Sequence, residues 1–423
     1  MKNQLFFVRN FRNILFLFFG MWFNASSGQD TIRIMTYNIL NYTSTDGNAS
    51  RYLDLRVIIN YYKPDVFICS ELVDGSGAQR LLDSSFNVNG VNYYSRAVFT
   101  NGPDTDNMLY FNTQKIKLKS QAQISTNLRD ISRYRIYHVI SPGDTAYLNI
   151  FSAHLKAGNF PSDATDRLAE VTDFCNYITS IPQSENLVIG GDFNIYGNTE
   201  QAWTYLTTNS CAHVFYDPIN TVGAWNNNSI FSSVHTQSTR SSTNPGCCGG
   251  ATGGMDDRFD FLLANSRVMN GGSKMKYING SYKACGNDGN HFNKSLLELP
   301  VNSSVPANVN TALFNMSDHL PVMMEVAIGT TVGINELNVS DQFSFSQCID
   351  NSGIISWCFF SSVQQKVEVE IYDLSGRNIL TREIMVEKGS TQINQESTLP
   401  FGTYIIRVRK DSEIIATSLL HYN

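Results

Sequence analysis

Six short apolar runs of this chain each begin or end at a polar residue, and this pattern constrains the fold more than any other feature. Runs of about 4 to 8 apolar residues rich in β-branched side chains are typical of buried strands, so the polar residues mark strand ends. In four runs the polar residue comes last: IRIMTYN, VFICSEL, LNIFSAH and NLVIGGDFN. In two it comes first: DFLLA and SDHLPVMMEV.

These polar residues can meet at one sheet edge if the strands that end with them run antiparallel to the strands that begin with them. Such a meeting of carboxylates, amides and imidazoles would form a site. The residues concerned are Asn38, Glu71, His154, Asp192, Asn194, Asp260, Asp318 and His319.

Composition sets broad limits on the class of protein. The chain has 423 residues, of which 42% are hydrophobic, so it can bury a large core and exceeds one typical domain. Its net charge of −6 argues against a purely electrostatic role on nucleic acid or anionic membranes. A phosphate substrate stays compatible with this charge, because a bound divalent cation inverts the local charge of a carboxylate cluster.

The N-terminus has the layout of a secretory signal peptide. Basic residues precede the apolar stretch ILFLFFGMWF, and the small residues NASSG follow it. We expect a signal peptide over residues 1–28, with cleavage between Ala25 and Gln29. The apolar core is too short for a transmembrane anchor, which needs about 20 residues. The sequence therefore predicts export without a membrane anchor.

Export makes the eight cysteines candidates for disulfides. Cys69 lies in a strand-like run and is predicted to be a buried apolar filler. Cys348 and Cys358 have a spacing that suits a short C-terminal loop. One or two bridges are expected among the cysteines of loop-like sequence, which are Cys211, Cys247, Cys248 and Cys285.

Residues 30–328 alternate strand-like and helical segments, which predicts a mixed α/β domain. The segment SRYLDLRVIINYYKPD predicts a helix that ends near Pro64, and SDATDRLAEVTDFCNYITSIP predicts a second helix capped by Ser162 or Asp163. The first helix is predicted to bury Leu53, Val57, Ile58 and Tyr61, and the second Leu168, Val171, Cys175 and Ile178.

The stretch 207–255 is rich in Asn, Ser, Thr and Gly and runs directly into Asp260. It is either a wall or lid of the site or a mobile surface insertion, and the sequence leaves both readings open. Residues 329–340 are polar and are expected to form a linker. Residues 341–423 contain short alternating runs, which predict a small antiparallel β-sandwich.

The polar set suits phosphate chemistry. Hard divalent cations bind oxygen ligands, and Mg²⁺ commonly takes one or two carboxylates together with water and substrate phosphate. Phosphoryl transfer needs positioning, charge neutralisation and a group that orients water. Each motif taken alone is more often a solvated strand end, a cap or a tight turn than part of a site. Their common placement favours a site that hydrolyses a phosphate ester.

The chain resembles the endonuclease/exonuclease/phosphatase superfamily, which includes deoxyribonuclease I-like nucleases. The matching segments are MTYNIL, PDVFICSEL, FSAHLKAG, VIGGDFN, DDRFDFLLAN and MSDHLPVMMEV, in that order over residues 31–328. The resemblance implies a four-layer α/β/β/α sandwich of mixed, largely antiparallel sheets over residues 30–328. It also implies hydrolysis of phosphate esters that depends on a divalent cation.

The resemblance implies a role for each polar residue. Glu71 would hold the metal, Mg²⁺ or alternatively Mn²⁺ or Ca²⁺, with help from Asn38 and Asp318. The implied catalytic residues are His154, Asp192, Asn194, Asp260 and His319. In this scheme Asp192, oriented by Asn194, activates water. His319, paired with Asp260, binds the phosphoryl oxygen, and His154 assists from the other side of the phosphate.

Several further residues are candidates for the site, but each also has an ordinary structural explanation. A basic cluster on NLRDISRYRIY either guides an anionic substrate or forms a solvated face. Arg258 is expected to brace the site from behind. The candidates outside the main set are Arg129, Arg133, Arg135, Lys156, Arg258 and His291.

The C-terminal segments IYDLSGRNIL and LPFGTYIIRV resemble the sorting domain of type IX secretion cargo, over residues 362–423. The usual opening Pro-Asn-Pro motif is absent. The resemblance implies contact with the type IX secretion machinery, followed by release from the cell or retention at its surface.

Together these features predict a secreted, monomeric, divalent-metal-dependent phosphodiesterase, foremost an extracellular nuclease acting on nucleic acid or another phosphodiester. A sphingomyelinase-like or phosphomonoesterase activity is an alternative that would change only the loops 73–107 and 207–255. A non-catalytic surface adhesin on the same fold is an alternative of another class.

Overall fold

The computed structural model describes residues 30–45, 49–208, 210–243, 249–329, 343–349, 354–361, 363–396, 399–400, 402–410 and 413–422. The chain divides into two compact units, with the boundary between Gly329 and Thr330. The predicted signal peptide, nearly all of the predicted linker, and Cys247 and Cys248 lie outside the described residues. No helix in the described part of the chain is long and apolar enough to cross a membrane.

The first unit alternates strands and helices, as predicted. Its helices are α1 (Tyr52–Tyr62), α2 (Gly75–Leu81), α3 (Pro161–Ile178), α4 (Gln201–Thr207), α5 (Ser266–Asn270) and α6 (Ala307–Met316). Its strands are β1 (Asp30–Tyr42), β2 (Val66–Leu72), β3 (Tyr94–Arg96), β4 (Asp106–Asn112), β5 (Lys117–Ile124), β6 (Ile131–Ser141), β7 (Asp144–His154), β8 (Leu187–Asp192), β9 (Phe215–Tyr216), β10 (Asp260–Asn265), β11 (Met275–Tyr277), β12 (Lys283–Ala284) and β13 (Val322–Ile328).

These strands form two mixed sheets. The first sheet has the order β11-β13-β1-β2-β4-β3, with β12 also paired to β13, and the second has the order β5-β6-β7-β8-β10-β9. β1 runs parallel to β2, and β7 runs parallel to β8. The other strand pairs described in this unit are antiparallel. The predicted mixed, largely antiparallel sheets are confirmed.

The two sheets pack face to face, and helices cover their outer faces. Ile68 of the first sheet shares one buried cluster with Leu148, Val188 and Leu262 of the second. Helices α1 and α6 add their apolar residues to the same cluster from the far side of the first sheet. Helices α3 and α4 pack with the second sheet in a separate cluster. The predicted four-layer α/β/β/α sandwich is confirmed.

The buried face of α1 differs from the predicted one. Leu53 and Tyr61 are 46% and 45% exposed, so the prediction was wrong for both. The buried guanidinium of Arg51 donates to the carbonyl oxygens of Ile39 and Met316, which fixes the rotation of the helix at its start. The residues that α1 buries are Leu55, Ile58, Ile59 and Tyr62.

One disulfide joins Cys175 to Cys211, whose Cα atoms lie 5.1 Å apart. The expectation that Cys211 pairs within the loop-like cysteines was wrong, because its partner lies on the apolar face of α3. Cys285, also expected in a bridge, is a buried free cysteine, and so is Cys69, as predicted. The side chains of the other four cysteines lie outside the described residues.

The second unit is a small β-sandwich, as predicted. A three-stranded sheet and a four-stranded sheet share one apolar core that includes Trp357, Val369 and Ile406. Its strands are β14 (Phe343–Ile349), β15 (Ile354–Ser361), β16 (Gln365–Asp373), β17 (Asn378–Val386), β18 (Gly389–Glu396), β19 (Gly402–Lys410) and β20 (Glu413–Tyr422).

Candidate active site

The sheet topology brings the polar strand ends together. β10 runs antiparallel to β8, and Asp260 at its start lies opposite Asp192 at the end of β8. The parallel pair β7 and β8 places His154 beside the same Asp192. In the first sheet, β1 lies between β13 and β2. It runs antiparallel to β13 and parallel to β2. Each sheet therefore supplies half of the site.

Asn38 connects the two halves. Its Nδ2 donates to Glu71 Oε1 at 2.9 Å and to Asp192 Oδ2 at 3.0 Å. Its Oδ1 accepts from the backbone N–H of Leu40 at 3.0 Å, which holds the amide plane. Asn38 is buried and uses both of its amide hydrogen-bonding atoms within the protein. Its oxygen therefore does not face the carboxylates, although the sequence suggested it as a metal ligand.

The backbone around Glu71 adopts a conformation that non-glycine residues rarely take. Leu40, Asn41 and Glu71 have φ values of 50°, 46° and 61°. The turn of β1 at these residues lets the N–H of Asn41 donate to Glu71 Oε2 at 3.0 Å. Strained residues of this kind cluster at functional sites, where the surrounding structure over-determines them.

Glu71, His154 and Asp192 form a cluster that suits a cation. One ligand atom from each lies within 4.8 Å of the others. Burial raises the pKa of Glu71. The hydrogen bond from Asn38 and the charge of His319 act in the opposite direction and are outweighed. The two carboxylate oxygens suit Mg²⁺ or Mn²⁺, whereas the imidazole nitrogen suits transition metals such as Zn²⁺. Among the described residues this is the only such group.

His154 is held as a neutral imidazole. Burial lowers its pKa well below the ordinary value, and the charges of Arg129 and His319 act in the same direction. Its Nε2 lies 3.7 Å from Glu71 Oε1 and 3.6 Å from Asp192 Oδ2, too far for a direct hydrogen bond. A neutral imidazole at this position has a ring nitrogen free to bind a cation or a phosphate oxygen.

His319 and Asp260 form a buried ion pair. Nδ1 of His319 lies 2.7 Å from Oδ2 of Asp260, which is fully buried. Burial acts to lower the pKa of His319, but Asp260, Asp192 and Asp318 outweigh it, and the pKa lies well above the ordinary value. These three carboxylates therefore favour the protonated form of His319. The N–H of Asp260 donates to Thr236 Oγ1 at 3.1 Å, which anchors the carboxylate's strand.

Asp192 lies between the two histidines. Its Oδ2 is 3.6 Å from Nε2 of His154 and 3.6 Å from Nε2 of His319. Burial raises the pKa of Asp192 to about 7, although His319 opposes the shift. The backbone N–H of Asn194 donates to Asp192 Oδ1 at 3.1 Å, while the Asn194 side chain donates to the carbonyl of Leu155. Asn194 thus orients Asp192 through its backbone.

Asp318 faces the loop 207–255 and lies outside the cation cluster. Its Oδ2 accepts from the N–H of Ala251 at 2.6 Å and from Gln237 Nε2 at 3.1 Å. The same Gln237 atom lies 2.5 Å from His319 Nε2. Of the three predicted metal residues, Glu71 alone belongs to the cluster, which His154 and Asp192 complete. Ligation by Asn38 or Asp318 stays a prediction.

The described part of the stretch 207–255 is a wall of the site. Thr236 and Gln237 contact Asp260 and His319, and Gly250 packs on Asp318, where a Cβ atom would lie 2.8 Å from its Cγ. Sequence reasoning missed Thr236 and Gln237, because the stretch has no periodicity that would single them out. Its direct continuation into Asp260 was the one available signal.

Three further candidates have structural partners. Arg258 forms a two-pronged ion pair with Asp217 behind β10, which agrees with a bracing role. Lys156 Nζ pairs with Asp163 at 3.0 Å. The buried His291 bonds with Oδ1 of Asp288 and a backbone carbonyl, so it belongs to a loop support.

The predicted basic cluster divides. Arg129 lies at the site, where its Nη1 donates to the carbonyl of Leu155, the residue after His154. Arg133 bonds with Asn149 and Tyr177, and Arg135 pairs with Glu185. Only Arg129 is therefore placed to affect the site.

The C-terminal unit matches a known protein family. Residues 354–420 match the family described as the secretion system C-terminal sorting domain. This sorting domain overlaps the segment whose sequence resembles type IX cargo, and it points to secretion or the cell surface. None of the curated proteins matches the chain in sequence.

Three solved structures illustrate the likeness of this chain to known folds. An endonuclease/exonuclease/phosphatase protein from Bacteroides vulgatus has a TM-score of 0.46 at 14% identity and covers 71% of this chain and 100% of its own. The human Nocturnin catalytic domain has a TM-score of 0.44 at 16% identity, and the match covers 71% of this chain and 98% of that domain. A mannosyl-6-phosphatase from Bacteroides thetaiotaomicron has a TM-score of 0.45 at 13% identity, and the match covers 70% of this chain and 100% of that protein. At these values the likeness carries no argument about activity, which depends on the side chains described above.

The His319–Asp260 pair generates a first prediction. Asp260→Asn removes the charge that most strongly raises the pKa of His319, so this pKa should fall and His319 should lose charge at neutral pH. Histidine side-chain NMR titration measures the change. Asp288→Asn, which alters the other buried His–Asp pair, is the matched control and should leave the His319 resonance unchanged. An unaltered His319 titration in Asp260→Asn would contradict the assignment.

Proposed function

We propose that the protein is a secreted, divalent-metal-dependent phosphodiesterase that acts as an extracellular nuclease. One observation carries this proposal: the cluster of Glu71, His154 and Asp192 lies directly beside the His319–Asp260 ion pair. A cation-binding group and a fixed positive charge on either side of a carboxylate are what phosphate ester hydrolysis requires.

The cation would be held by the oxygens of Glu71 and Asp192 and by His154. When bound, it neutralises the charge of the phosphate and lowers the barrier to attack by water. Asn38 keeps the two carboxylates oriented, since one amide group donates to both. Burial of the cluster strengthens each of these interactions, because a low local dielectric increases electrostatic energies.

Asp192 and His319 have opposite protonation roles. Asp192 lies between His154 of the cation cluster and His319, so it would orient the attacking water and accept a proton from it as the oxygen attacks phosphorus. His319 keeps its proton, because its carboxylate neighbours stabilise the cation, and it donates to the phosphoryl oxygen where negative charge develops. The bond from phosphorus to the leaving oxygen then breaks, and this oxygen takes a proton from solvent. Asp260 holds the His319 ring in place throughout.

A binding protein without catalysis has no use for this arrangement. Burying ionised groups costs free energy unless they are paired, and leaving one unpaired costs several kcal/mol. Asp192, Asp260 and His319 are all buried in one polar centre. Such a costly arrangement favours an enzyme over a non-catalytic adhesin. The sorting domain supports action outside the cell.

The catalytic roles are tested by substitutions that remove the titratable group and keep a polar side chain. Asp192→Asn and His319→Gln should each lower hydrolysis of a synthetic phosphodiester by about 100-fold or more, the scale for losing a general acid or base. Steady-state kinetics with the purified full chain measure the loss. His291→Gln removes a buried histidine that lies outside the site and is the matched control. Near-normal turnover by either site variant would remove the proposed mechanism.

The cation is tested by chelation. EDTA should abolish turnover, and Mg²⁺ or Mn²⁺ should restore it, because the cation neutralises the charge of the phosphate. Calorimetric titration of the metal into the chelated protein should show binding that Glu71→Gln weakens. Chelator-resistant hydrolysis would contradict the proposal.

The sorting role is tested by truncation. Deleting residues 341–423 should block export from the native host and leave the specific activity of the purified protein unchanged, because the candidate site lies wholly in the first unit. Immunoblotting of the culture medium and the cell fractions measures export. Normal delivery of the truncated chain would refute the sorting role.

A further inference from the structure

The loop 155–160 follows His154 and is held rigidly by buried side chains. Its N–H at Lys156 donates to Glu170 Oε2 at 2.8 Å. Nη1 of Arg167 donates to the carbonyls of Lys156 and Gly158, each at 2.8 Å. Both Arg167 and Glu170 are 1% exposed and project from α3. The loop is therefore a fixed surface next to the site.

The same support ties the loop to the strand that carries Asp192. Arg167 forms a two-pronged ion pair with Glu200, which lies in the segment after β8. The Asn194 side chain donates to the carbonyl of Leu155 at the start of the loop. Because of these bonds, the loop 155–160 has a defined position relative to the proposed catalytic carboxylate.

This fixed loop presents an aromatic ring to solvent. Phe160 is 70% exposed, although its backbone is well anchored: its N–H donates to Asp163 Oδ2 at 3.0 Å. The ring takes no part in the described apolar clusters. An exposed aromatic face on a rigid backbone offers a stacking surface at low conformational cost.

A cation lies at the start of the loop. Arg129 donates through Nη1 to the carbonyl of Leu155 and through Nε to Asp104 at 2.8 Å. Its side chain is 18% exposed, and its Nη2 forms no hydrogen bond with the described residues. Because Nε and Nη1 make these two bonds, Nη2 is available to an anion while both anchors are kept.

We propose that the loop 155–160 and Arg129 form a subsite for single-stranded polynucleotide beside the scissile phosphate. Arg129 binds a phosphate next to the one that is hydrolysed, and Phe160 stacks on an unpaired base. The inference rests on the proposed phosphodiesterase function and names its substrate class. A single strand offers both a second phosphate and a free base face, whereas sphingomyelin-like lipids and small phosphate esters offer neither.

The experiment compares substrates that differ in these two features. They are a 20-nucleotide oligothymidylate, the same strand in a duplex, bis(4-nitrophenyl) phosphate with one phosphate, and vesicles of sphingomyelin and phosphatidylcholine. The full chain is assayed with Mg²⁺ as wild type and as Phe160→Ser, Phe160→Tyr, Arg129→Gln and Arg129→Lys. Serine is a preferred residue at a helix N-cap, so Phe160→Ser should keep α3 intact.

Phe160→Ser should raise KM for the single strand about tenfold, the scale of one lost stacking contact, with kcat nearly unchanged. Phe160→Tyr keeps the ring and should restore the wild-type KM. Arg129→Gln should also raise this KM and reduce the slope of log KM against log salt by about one. Neither Phe160 variant should change hydrolysis of bis(4-nitrophenyl) phosphate. Arg129→Gln should affect this substrate less than the oligonucleotide, because only the loss of its charge near His154 applies there.

Two substitutions are matched controls. Arg135→Gln removes the same charge at a residue paired with Glu185, away from the site. Val139→Ser removes an apolar side chain that is 46% exposed near the opposite end of the β6–β7 pair. Both should leave KM for the oligonucleotide unchanged.

Three results would overturn the subsite. Equal losses on oligonucleotide and bis(4-nitrophenyl) phosphate would show that the residues act only through the site's structure. An effect of Phe160→Ser confined to vesicles would assign the ring to a lipid surface. Wild-type hydrolysis of bis(4-nitrophenyl) phosphate without cleavage of the oligonucleotide would remove the subsite and leave the phosphodiesterase proposal standing. That broader proposal fails only if no phosphodiester is hydrolysed.

Discussion

The hydrogen bond between Asn38 and Asp192 connects the two sheets at the point where the site forms. Asn38 ends its apolar run in the first sheet, and Asp192 ends β8 in the second. The ion pair between His319 and Asp260 makes a second connection across the same interface. Breaking a buried pair by removing one partner typically costs about 3–5 kcal/mol. The contacts that assemble the site therefore also hold the layers of the fold in register.

Much of this arrangement is visible in the sequence because it depends on strand direction. Each polar residue marks the end or start of an apolar run, and antiparallel neighbours bring starts and ends to one edge. This reasoning predicted the proximity of groups as distant in sequence as Asn38 and His319, whereas the four-layer arrangement was implied by the resemblance to a known superfamily. It also separated the C-terminal β-sandwich, whose alternating runs have a period of two.

The finer geometry depends on features without a sequence period. The cation cluster includes His154 and Asp192 because the β7–β8 register sets them side by side, and no spacing in the chain encodes that register. Gln237 lies in an aperiodic stretch, so its contact with His319 was not foreseen. Cys175 was read as part of an apolar helix face, which hid its bond to Cys211. In each case a long-range contact decided the outcome.

The positive φ angles at Leu40 and Asn41 have a consequence for how this protein would respond to selection for heat tolerance. Glycine at the exposed Asn41 would relieve the local steric cost, whereas glycine at Leu40, which is 4% exposed, would remove a buried side chain and lower stability. Glycine at Asn41 would also free the turn that aims the Asn38 amide and donates to Glu71. At Asn41, thermal stability and turnover are therefore set against each other, and a variant that gains one should lose some of the other.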